Sequence, residues 1–324
     1  MNTVLLSTQH NADLALAASW IKAGKLVAVP TETVYGLAAD ASNPDAVSAI
    51  FTAKGRPANH PLIVHLPDKT AIGDWACNIN TAAYALAEAF WPGPLTLLLH
   101  KAPQVNPVVT GGLTTVGLRV PSHPVLLKLL QQHQLALAAP SANLYKKLSP
   151  TSAAQVMIGL QGKITAVLDG GECQFGVEST IIDLTQTVPT IVRAGPITAA
   201  QIEAVIGRPV AQPRQHNVSV SGNVDAHYQP EKSLLCFSRE ELLLHLPQQK
   251  QPLALLHYTD FADYPGLTKL TMPATAQAFA QRLYASLFKA DQLAVSAIWC
   301  ELPPDTDAWR AVNDRLSRAS SQRR

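Results

Sequence analysis

Two cations and two histidines are crowded into the stretch KGRPANHPLIVH, which runs from Lys54 to His65. Gly55 separates Lys54 from Arg56 and allows the backbone to approach a ligand closely. Alternation along PLIVHL places His65 on the strand face opposite the more apolar one. A solvated turn and a structural histidine are the commoner roles of such residues, so this stretch indicates an anion site only in combination with others.

A second cluster, PTETVYGL, places hydroxyl and carboxylate side chains directly after the strand predicted in KLVAVP. Short polar groups at the end of a strand are where α/β sheets usually bind ligands. Thr31 and Thr33 could instead satisfy local backbone groups in a turn, and both interpretations stay open.

Arg119 lies inside the otherwise apolar strand of TTVGLRVPSHP. A buried guanidinium needs an anionic partner, because leaving it unpaired costs several kcal/mol. The partner could be a structural Asp or Glu, or a substrate carboxylate that the planar guanidinium binds at two points.

Further polar groups follow later strands, namely Ser141, Asn143 and Ser149 in APSANLYKKLSPT, and Ser179 and Arg193 in the stretch from FGVEST to IVRAG. No general base is recognisable beside Ser141, as a G-x-S-x-G hydrolase would require, so these residues are interpreted as hydrogen-bond donors. Several cations and hydroxyls beside strand ends suit an anionic ligand with several phosphates or carboxylates.

Other chemistries find little support. The sequence contains neither a Walker-type phosphate loop nor a Rossmann fingerprint, and the H-E-x-x-H spacing of zinc proteases is absent. Its four cysteines are far apart, which disfavours a zinc site or a disulfide framework and suits a reducing compartment. The net charge of +2 gives no global field that would indicate nucleic acid or a membrane.

Length and composition predict a globular protein of two domains, with 324 residues of which 47% are apolar and 15% charged. We predict a first domain at 1–207, a linker or lid at 208–230, and a small α/β domain at 231–324 with strands in SLLCF, PLALLHY and LAVSAIWC. A first helix is predicted from Asn11, with Asn11 as its cap. The N-terminus lacks the pattern of a signal peptide and no apolar run could span a bilayer, so a cytoplasmic protein without membrane contact is expected.

Nine short motifs occur in one order, namely PTETVYGL, KGRP, PLIVH, WPGPLTLLL, LRVPSHP, APSAN, SPT, GVESTIID and VRAGPIT. Together they closely resemble the threonylcarbamoyl-AMP synthase family of the YrdC type, strongly from about Leu26 to Gly207. The remainder, with SGNVDAHYQP and a small α/β unit, is similar to the long form of that family.

The resemblance implies an α/β fold with a twisted, open, mixed sheet around a large basic concave cavity, followed by a small Rossmann-like α/β domain. It implies condensation of L-threonine, bicarbonate and ATP to threonylcarbamoyl-AMP and pyrophosphate, with Mg²⁺ accompanying ATP. The intermediate would pass to a threonylcarbamoyl transferase complex that modifies the tRNA adenosine beside the anticodon, and a direct tRNA contact is a further expectation.

The resemblance also implies site residues, position by position. L-threonine would contact Thr33, His65, Arg119, the backbone of Ala139, and Ser179. ATP would contact Lys54, Arg56, His60, Thr115, Ser141, Asn143, Ser149, Arg193 and Tyr228, with Lys54 and Arg56 the catalytic cations and Tyr228 closing over the nucleotide.

Three positions depart from the family pattern. His60 stands where relatives usually carry Asn, Ala194 replaces a Pro, and the linker lacks the usual Pro and Met. An alternative of a different class is an RNA-binding accessory protein that uses the basic cavity without catalysis. Carbamoyl transfer of the hydrogenase-maturation kind would need domains that this chain lacks.

Overall fold

The structure is a computed structural model that describes residues 2–213, 218–222 and 227–321. The chain forms two compact units, one with most of residues 1–223, the other with residues 224–324 and the short segments Lys146–Ser149 and Phe175–Val177. Residues 214–217 and 223–226 of the predicted linker lie outside the described residues. The predicted domain limits stay a prediction.

The first unit is built on a mixed sheet. Its strands are β1 (Val4–Ser7), β2 (Val27–Val29), β3 (Gly36–Asp40), β4 (Ile63–His65), β5 (Ala76–Cys77), β6 (Leu95–Lys101), β7 (Thr115–Arg119), β8 (Leu137–Ala138), β9 (Ala166–Asp169), β10 (Thr180–Asp183) and β11 (Thr190–Arg193). They are ordered β1-β9-β2-β3-β8-β4-β7-β6-β10-β11, with β5 paired to β6 outside this path. The predicted mixed α/β architecture is confirmed.

The helices of this unit are α1 (Asn11–Lys22), α2 (Pro44–Lys54), α3 (Ile72–Trp75), α4 (Thr81–Phe90), α5 (Pro107–Thr110), α6 (Pro124–His133), α7 (Ala153–Leu160) and α8 (Ala199–Ile206), with a 3-10 turn at Lys69–Ala71. The cap predicted for α1 is wrong. His10 is the N-cap and makes no side-chain cap bond. Asn11 Oδ1 instead accepts a hydrogen bond from Lys128 Nζ at 3.0 Å.

The two faces of the sheet have different roles around β4. Val64 lies in the large apolar cluster that includes Ile50 of α2 and Leu86 of α4. Ile63 lies in a separate cluster with Val220, which belongs to the described segment 218–222 of the predicted linker. His65 shares the face of Ile63, because side chains alternate along a strand, so the predicted orientation of His65 is confirmed.

Helix α2 was not predicted from the sequence, and it fixes the position of Lys54. Asn43 Oδ1 caps the helix by accepting hydrogen bonds from the backbone N–H groups of Asp45 and Ala46, at 3.1 and 3.2 Å. Gly55 follows the last helical residue with φ of 62°, a left-handed conformation that glycine adopts without strain. Gly55 therefore ends a helix that holds Lys54 in its last turn.

The second unit contains a four-stranded parallel sheet, ordered β12-β15-β13-β14. Its strands are β12 (Ser233–Phe237), β13 (Leu253–His257), β14 (Leu267–Thr271) and β15 (Ala297–Glu301). Its helices are α9 (Arg239–His245), α10 (Ala276–Asp291) and α11 (Arg310–Ala319), with 3-10 turns at Leu246–Gln248 and Asp307–Trp309.

The prediction of three strands in this part of the chain was wrong by one, because β14 was missed. β14 is an edge strand with Lys269 at its centre and no fully buried residue. An edge strand that buries little has no need for the apolar run on which the prediction relied. Among the described residues, none of the helices is long and apolar enough to cross a membrane.

Candidate active site

The two threonines of the loop after β2 make different hydrogen bonds. Thr31 Oγ1 donates a hydrogen bond to the carbonyl of Val34 at 2.6 Å and accepts one from the N–H of Thr33 at 3.0 Å. Thr31 thus satisfies its own turn. The hydroxyl of Thr33 lies 2.8 Å from that of Thr31 and accepts a hydrogen bond from Arg119 Nη1 at 3.0 Å. The turn interpretation therefore holds for Thr31, and a ligand contact of Thr33 stays a prediction.

Arg119 is held by three contacts while almost fully buried. Its Nε donates to the carbonyl of Gly93 at 3.1 Å, its Nη1 to Thr33, and its Nη2 lies 2.6 Å from Glu32 Oε1. The last contact is an ion pair whose N–H is not aligned for a hydrogen bond. Burial is the largest single influence and raises the pKa of Glu32, but the Arg119 charge and the polar groups around the carboxylate together outweigh it and hold that pKa below the usual range.

Glu32 therefore supplies the anionic partner that Arg119 requires, and it is a site residue that was not predicted from the sequence. The two side chains are only 3% and 4% exposed. The sequence feature that could have identified Glu32 is its carboxylate between the two threonines of PTET. A buried arginine already paired in this way is fixed in orientation before any ligand arrives.

His65 lies directly beside Arg119, since the two are opposite one another in the parallel pair of β4 and β7. Burial, with the nearby Arg119 charge, lowers the pKa of His65 to about 3. The imidazole is therefore neutral near pH 7, and its Nδ1 has no hydrogen-bond partner within the described residues. A neutral ring can accept or donate a hydrogen bond here without adding charge.

Lys54 is buried and donates to main-chain oxygens. Its Nζ lies 2.5 Å from the carbonyl of Ser141, 2.5 Å from that of Asn143 and 3.3 Å from Asn143 Oδ1. Burial, and then the charge of Arg56, lower the pKa of Lys54. Arg56 is also buried and donates from Nη2 to the carbonyl of Pro61 at 3.0 Å. Neither cation belongs to a solvated turn.

The Ser141 loop is joined to the loop that carries Thr33. Gly36 and Ser141 form an isolated β-bridge, and the N–H of Ala142 donates to the carbonyl of Tyr35 at 2.8 Å. One pair of adjoining loops therefore positions both the carbonyls that bind Lys54 and the Arg119 cluster, which consists of Arg119, Glu32 and Thr33.

Ser179 and Arg193 form a third buried group. Arg193 Nε donates to the carbonyl of Ser179 and Nη2 to its Oγ, both at 2.9 Å. The Ser179 hydroxyl lies 2.7 Å from Thr96 Oγ1, and Arg193 Nη1 donates to the carbonyl of Ser221 at 2.8 Å. A Cβ on Gly195 would lie 2.3 Å from the backbone nitrogen of Thr180, so only glycine fits beside this group.

Two adjacent carbonyls connect this group to Arg119. The guanidinium of Arg119 donates to Gly93, and the N–H of Thr180 donates to the carbonyl of Pro94 at 3.0 Å. Arg119 and the residue after Ser179 thus bind neighbouring peptide units of one turn.

The other predicted contacts are more dispersed. His60 is half-buried with its ring edge-on to Tyr145, 5.6 Å between centroids. Thr115 begins β7, and Ala139 uses its N–H to bond the carbonyl of Ile63 at 3.1 Å. Ser149 is fully buried and belongs to the second unit.

Tyr228 also belongs to the second unit, where it is 1% exposed. Its ring lies 5.6 Å from that of Tyr284, and the Arg315 guanidinium is 5.3 Å from its centroid. The predicted contact of Tyr228 with a nucleotide stays a prediction.

Comparison with known proteins adds independent information. Residues 19–195 match the family of Sua5, YciO and YrdC, described as telomere recombination, and residues 197–321 match the threonylcarbamoyl-AMP synthase C-terminal domain. The chain is 37% identical over 338 residues to a threonylcarbamoyl-AMP synthase of Pyrococcus abyssi, covering 99% of this chain and 98% of the relative.

A relative of the same name from Bacillus subtilis is 39% identical over 334 residues, covering 98% of this chain and 95% of the relative. The crystal structure of Pyrococcus abyssi Sua5 complexed with L-threonine is 36% identical, with a TM-score of 0.89 and coverage of 99% of this chain and 98% of that one.

Proposed function

The chain belongs to the family of Sua5, YciO and YrdC in its two-domain form, and from this premise we propose that it is an L-threonylcarbamoyladenylate synthase. It would condense L-threonine, bicarbonate and ATP to threonylcarbamoyl-AMP and pyrophosphate. The structural observation that carries the proposal is a set of four cations, each at most 9% exposed. Lys54 ends α2 and Arg56 follows it, while Arg119 and Arg193 end β7 and β11.

The chemistry needs positioning more than it needs a nucleophile. The threonine amine takes up carbon dioxide or bicarbonate as a carbamate, a carbamate oxygen attacks the α-phosphorus of ATP, and pyrophosphate leaves. No bond to the enzyme forms. Holding two reactants in place is worth effective molarities of about 10⁵–10⁸ M in favourable cases, and fixed cations offset charge that develops on the phosphoryl oxygens.

We assign the threonine carboxylate to the Arg119 cluster. Because Glu32 and the Gly93 carbonyl already fix the guanidinium, little ordering remains to be done on binding. A neutral His65 beside it suits the neighbourhood of a bound amine, which must lose its proton before it can attack. The threonine-binding set is Thr33, His65, Arg119, Ala139 and Ser179.

We assign ATP to the side of Lys54 and Arg56, which would act as the catalytic cations. The Ser141 and Asn143 carbonyls anchor Lys54 there. The proposed nucleotide-binding set in the first unit is Lys54, Arg56, His60, Thr115, Ser141, Asn143 and Arg193, and the contacts of Ser149 and Tyr228 stay predictions.

We propose that Mg²⁺ enters with ATP as part of the substrate. Within the described residues there is no group of three or more His, Cys, Asp or Glu side chains that could hold a metal ion. Phosphate oxygens would hold most of the metal's coordination positions, as is usual for Mg²⁺ in such sites. A threonylcarbamoyl transferase complex as recipient, a direct tRNA contact and a cytoplasmic location belong to the same proposal.

Pyrophosphate release tests the function, with ATP, L-threonine and bicarbonate present and each omitted in turn. We expect release only when all three are supplied, and threonylcarbamoyl-AMP in the products by mass spectrometry. Release that ignores threonine would refute the proposal. Salt-dependent RNA binding without any turnover would favour the accessory protein instead.

A further inference from the structure

Two cysteines of the second unit lie side by side, although 63 residues separate them in the sequence. Cys236 of β12 and Cys300 of β15 are directly opposed in the parallel register. Opposed residues of neighbouring parallel strands point to the same face, and their Cα atoms are roughly 4.8 Å apart. Disulfides span Cα separations of about 4.4–6.8 Å, so this spacing is compatible with a bond.

The two thiols differ in exposure. Cys300 is fully buried in an inner strand, whereas Cys236 is half-buried on an edge strand. Both are free thiols, and the neighbouring Cys236 thiol, together with burial, raises the pKa of Cys300. An oxidant from solution therefore reaches Cys236 first, while Cys300 is already in place behind it.

We propose that Cys236 and Cys300 are a modification site, a thiol pair that peroxides convert reversibly to a disulfide between β12 and β15. The Cys236 thiolate attacks one oxygen of hydrogen peroxide, the O–O bond breaks, hydroxide leaves, and a sulfenic acid forms. The Cys300 thiol then attacks the Cys236 sulfur, an S–S bond forms as the S–OH bond breaks, and the Cys300 proton leaves with the displaced hydroxide as water. Two thiols and one peroxide give one disulfide and two waters, and the two electrons pass to the peroxide.

The other two cysteines provide internal comparisons. Cys77 is half-buried like Cys236, but its Sγ lies 3.2 Å from the carbonyl of Lys101 in the first unit and has no thiol opposite it in its strand pair. Cys173 is buried, and burial raises its pKa. If exposure alone decided the reaction with peroxide, Cys77 and Cys236 would be oxidised alike. The proposed pairing predicts a disulfide only at Cys236.

The test uses the full-length protein, with stoichiometric hydrogen peroxide, alkylation under denaturing conditions and mass spectrometry. We expect the monomer to lose the mass of two hydrogen atoms and to yield one peptide pair joined through Cys236 and Cys300. Dithiothreitol should reverse both changes. Near-ultraviolet circular dichroism, recorded in parallel, establishes that the fold is intact during oxidation.

Two variants separate the steps. In Cys300→Ala, which keeps a small apolar group in the core, dimedone should trap Cys236 as a sulfenic acid and no disulfide should form. In Cys236→Ala, Cys300 should stay a free thiol. The proposal is overturned if wild-type Cys236 and Cys300 remain separately alkylated when Cys77 is oxidised, or if Cys236 pairs only with another molecule.

Discussion

Replacing His65 with Gln should remove part of the acid sensitivity of the first unit. The folded-state pKa of His65 is about 3, below its ordinary value of 6.5, because of burial and Arg119. Below pH 6.5 the unfolded chain therefore binds a proton that the folded chain refuses, so stability falls as pH falls from 6.5 towards 3. One pKa unit corresponds to about 1.4 kcal/mol, which gives roughly 5 kcal/mol at the acid end and about 2 kcal/mol at pH 5.

Urea unfolding at pH 7.5 and pH 5.0, followed by circular dichroism, measures this term. The wild type should lose about 2 kcal/mol more than His65→Gln between the two pH values. Other titrating groups are common to both proteins and cancel in the comparison. His10→Gln, which alters an exposed ring, should behave like the wild type. Equal losses in wild type and His65→Gln would refute a buried, neutral His65.

The remaining predictions concern the ion pair and one close backbone approach. Arg119→Ala should weaken the use of threonine by roughly 1.5–3 kcal/mol, or about 10- to 150-fold in kcat/KM, with an unchanged KM for ATP, and an unchanged threonine dependence would remove Arg119 from this role. Glu32→Gln leaves Arg119 without its counter-ion and should lower stability by about 3–5 kcal/mol in urea unfolding, whereas Glu32→Gln with Arg119→Met should recover part of that loss. Gly195→Ala should lower the melting temperature, because its Cβ would meet the Thr180 nitrogen at 2.3 Å, and a melting temperature equal to that of the wild type would contradict the packing.

What could be predicted from the sequence was local. The face of β4 that carries His65 follows from alternation alone, and the need of Arg119 for an anion follows from its apolar strand. The identity of the anion did not follow, because Glu32 lies on a distant loop that only the sheet order brings to β7. Pairing across a sheet is a property of the fold. The opposition of Cys236 and Cys300 could not be predicted from the sequence for the same reason.

Elements with weak apolar patterns were also missed. β14 has Lys269 at its centre, and α2 was overlooked although Asn43, Pro44 and Gly55 mark its ends. The helical position of Lys54 was therefore missed as well. The motifs identified the family correctly, while the roles assigned to individual residues of the candidate site remain predictions.

The anchoring of Lys54 has a consequence for sequence divergence. Its two short hydrogen bonds end on peptide oxygens of positions 141 and 143, which every amino acid supplies. The residue types at those positions can therefore change without loss of the hydrogen bonds to the Lys54 ammonium group, provided that the loop keeps its backbone conformation. Comparisons that score side-chain identity at these positions will underestimate how widely this cation is held in the same place.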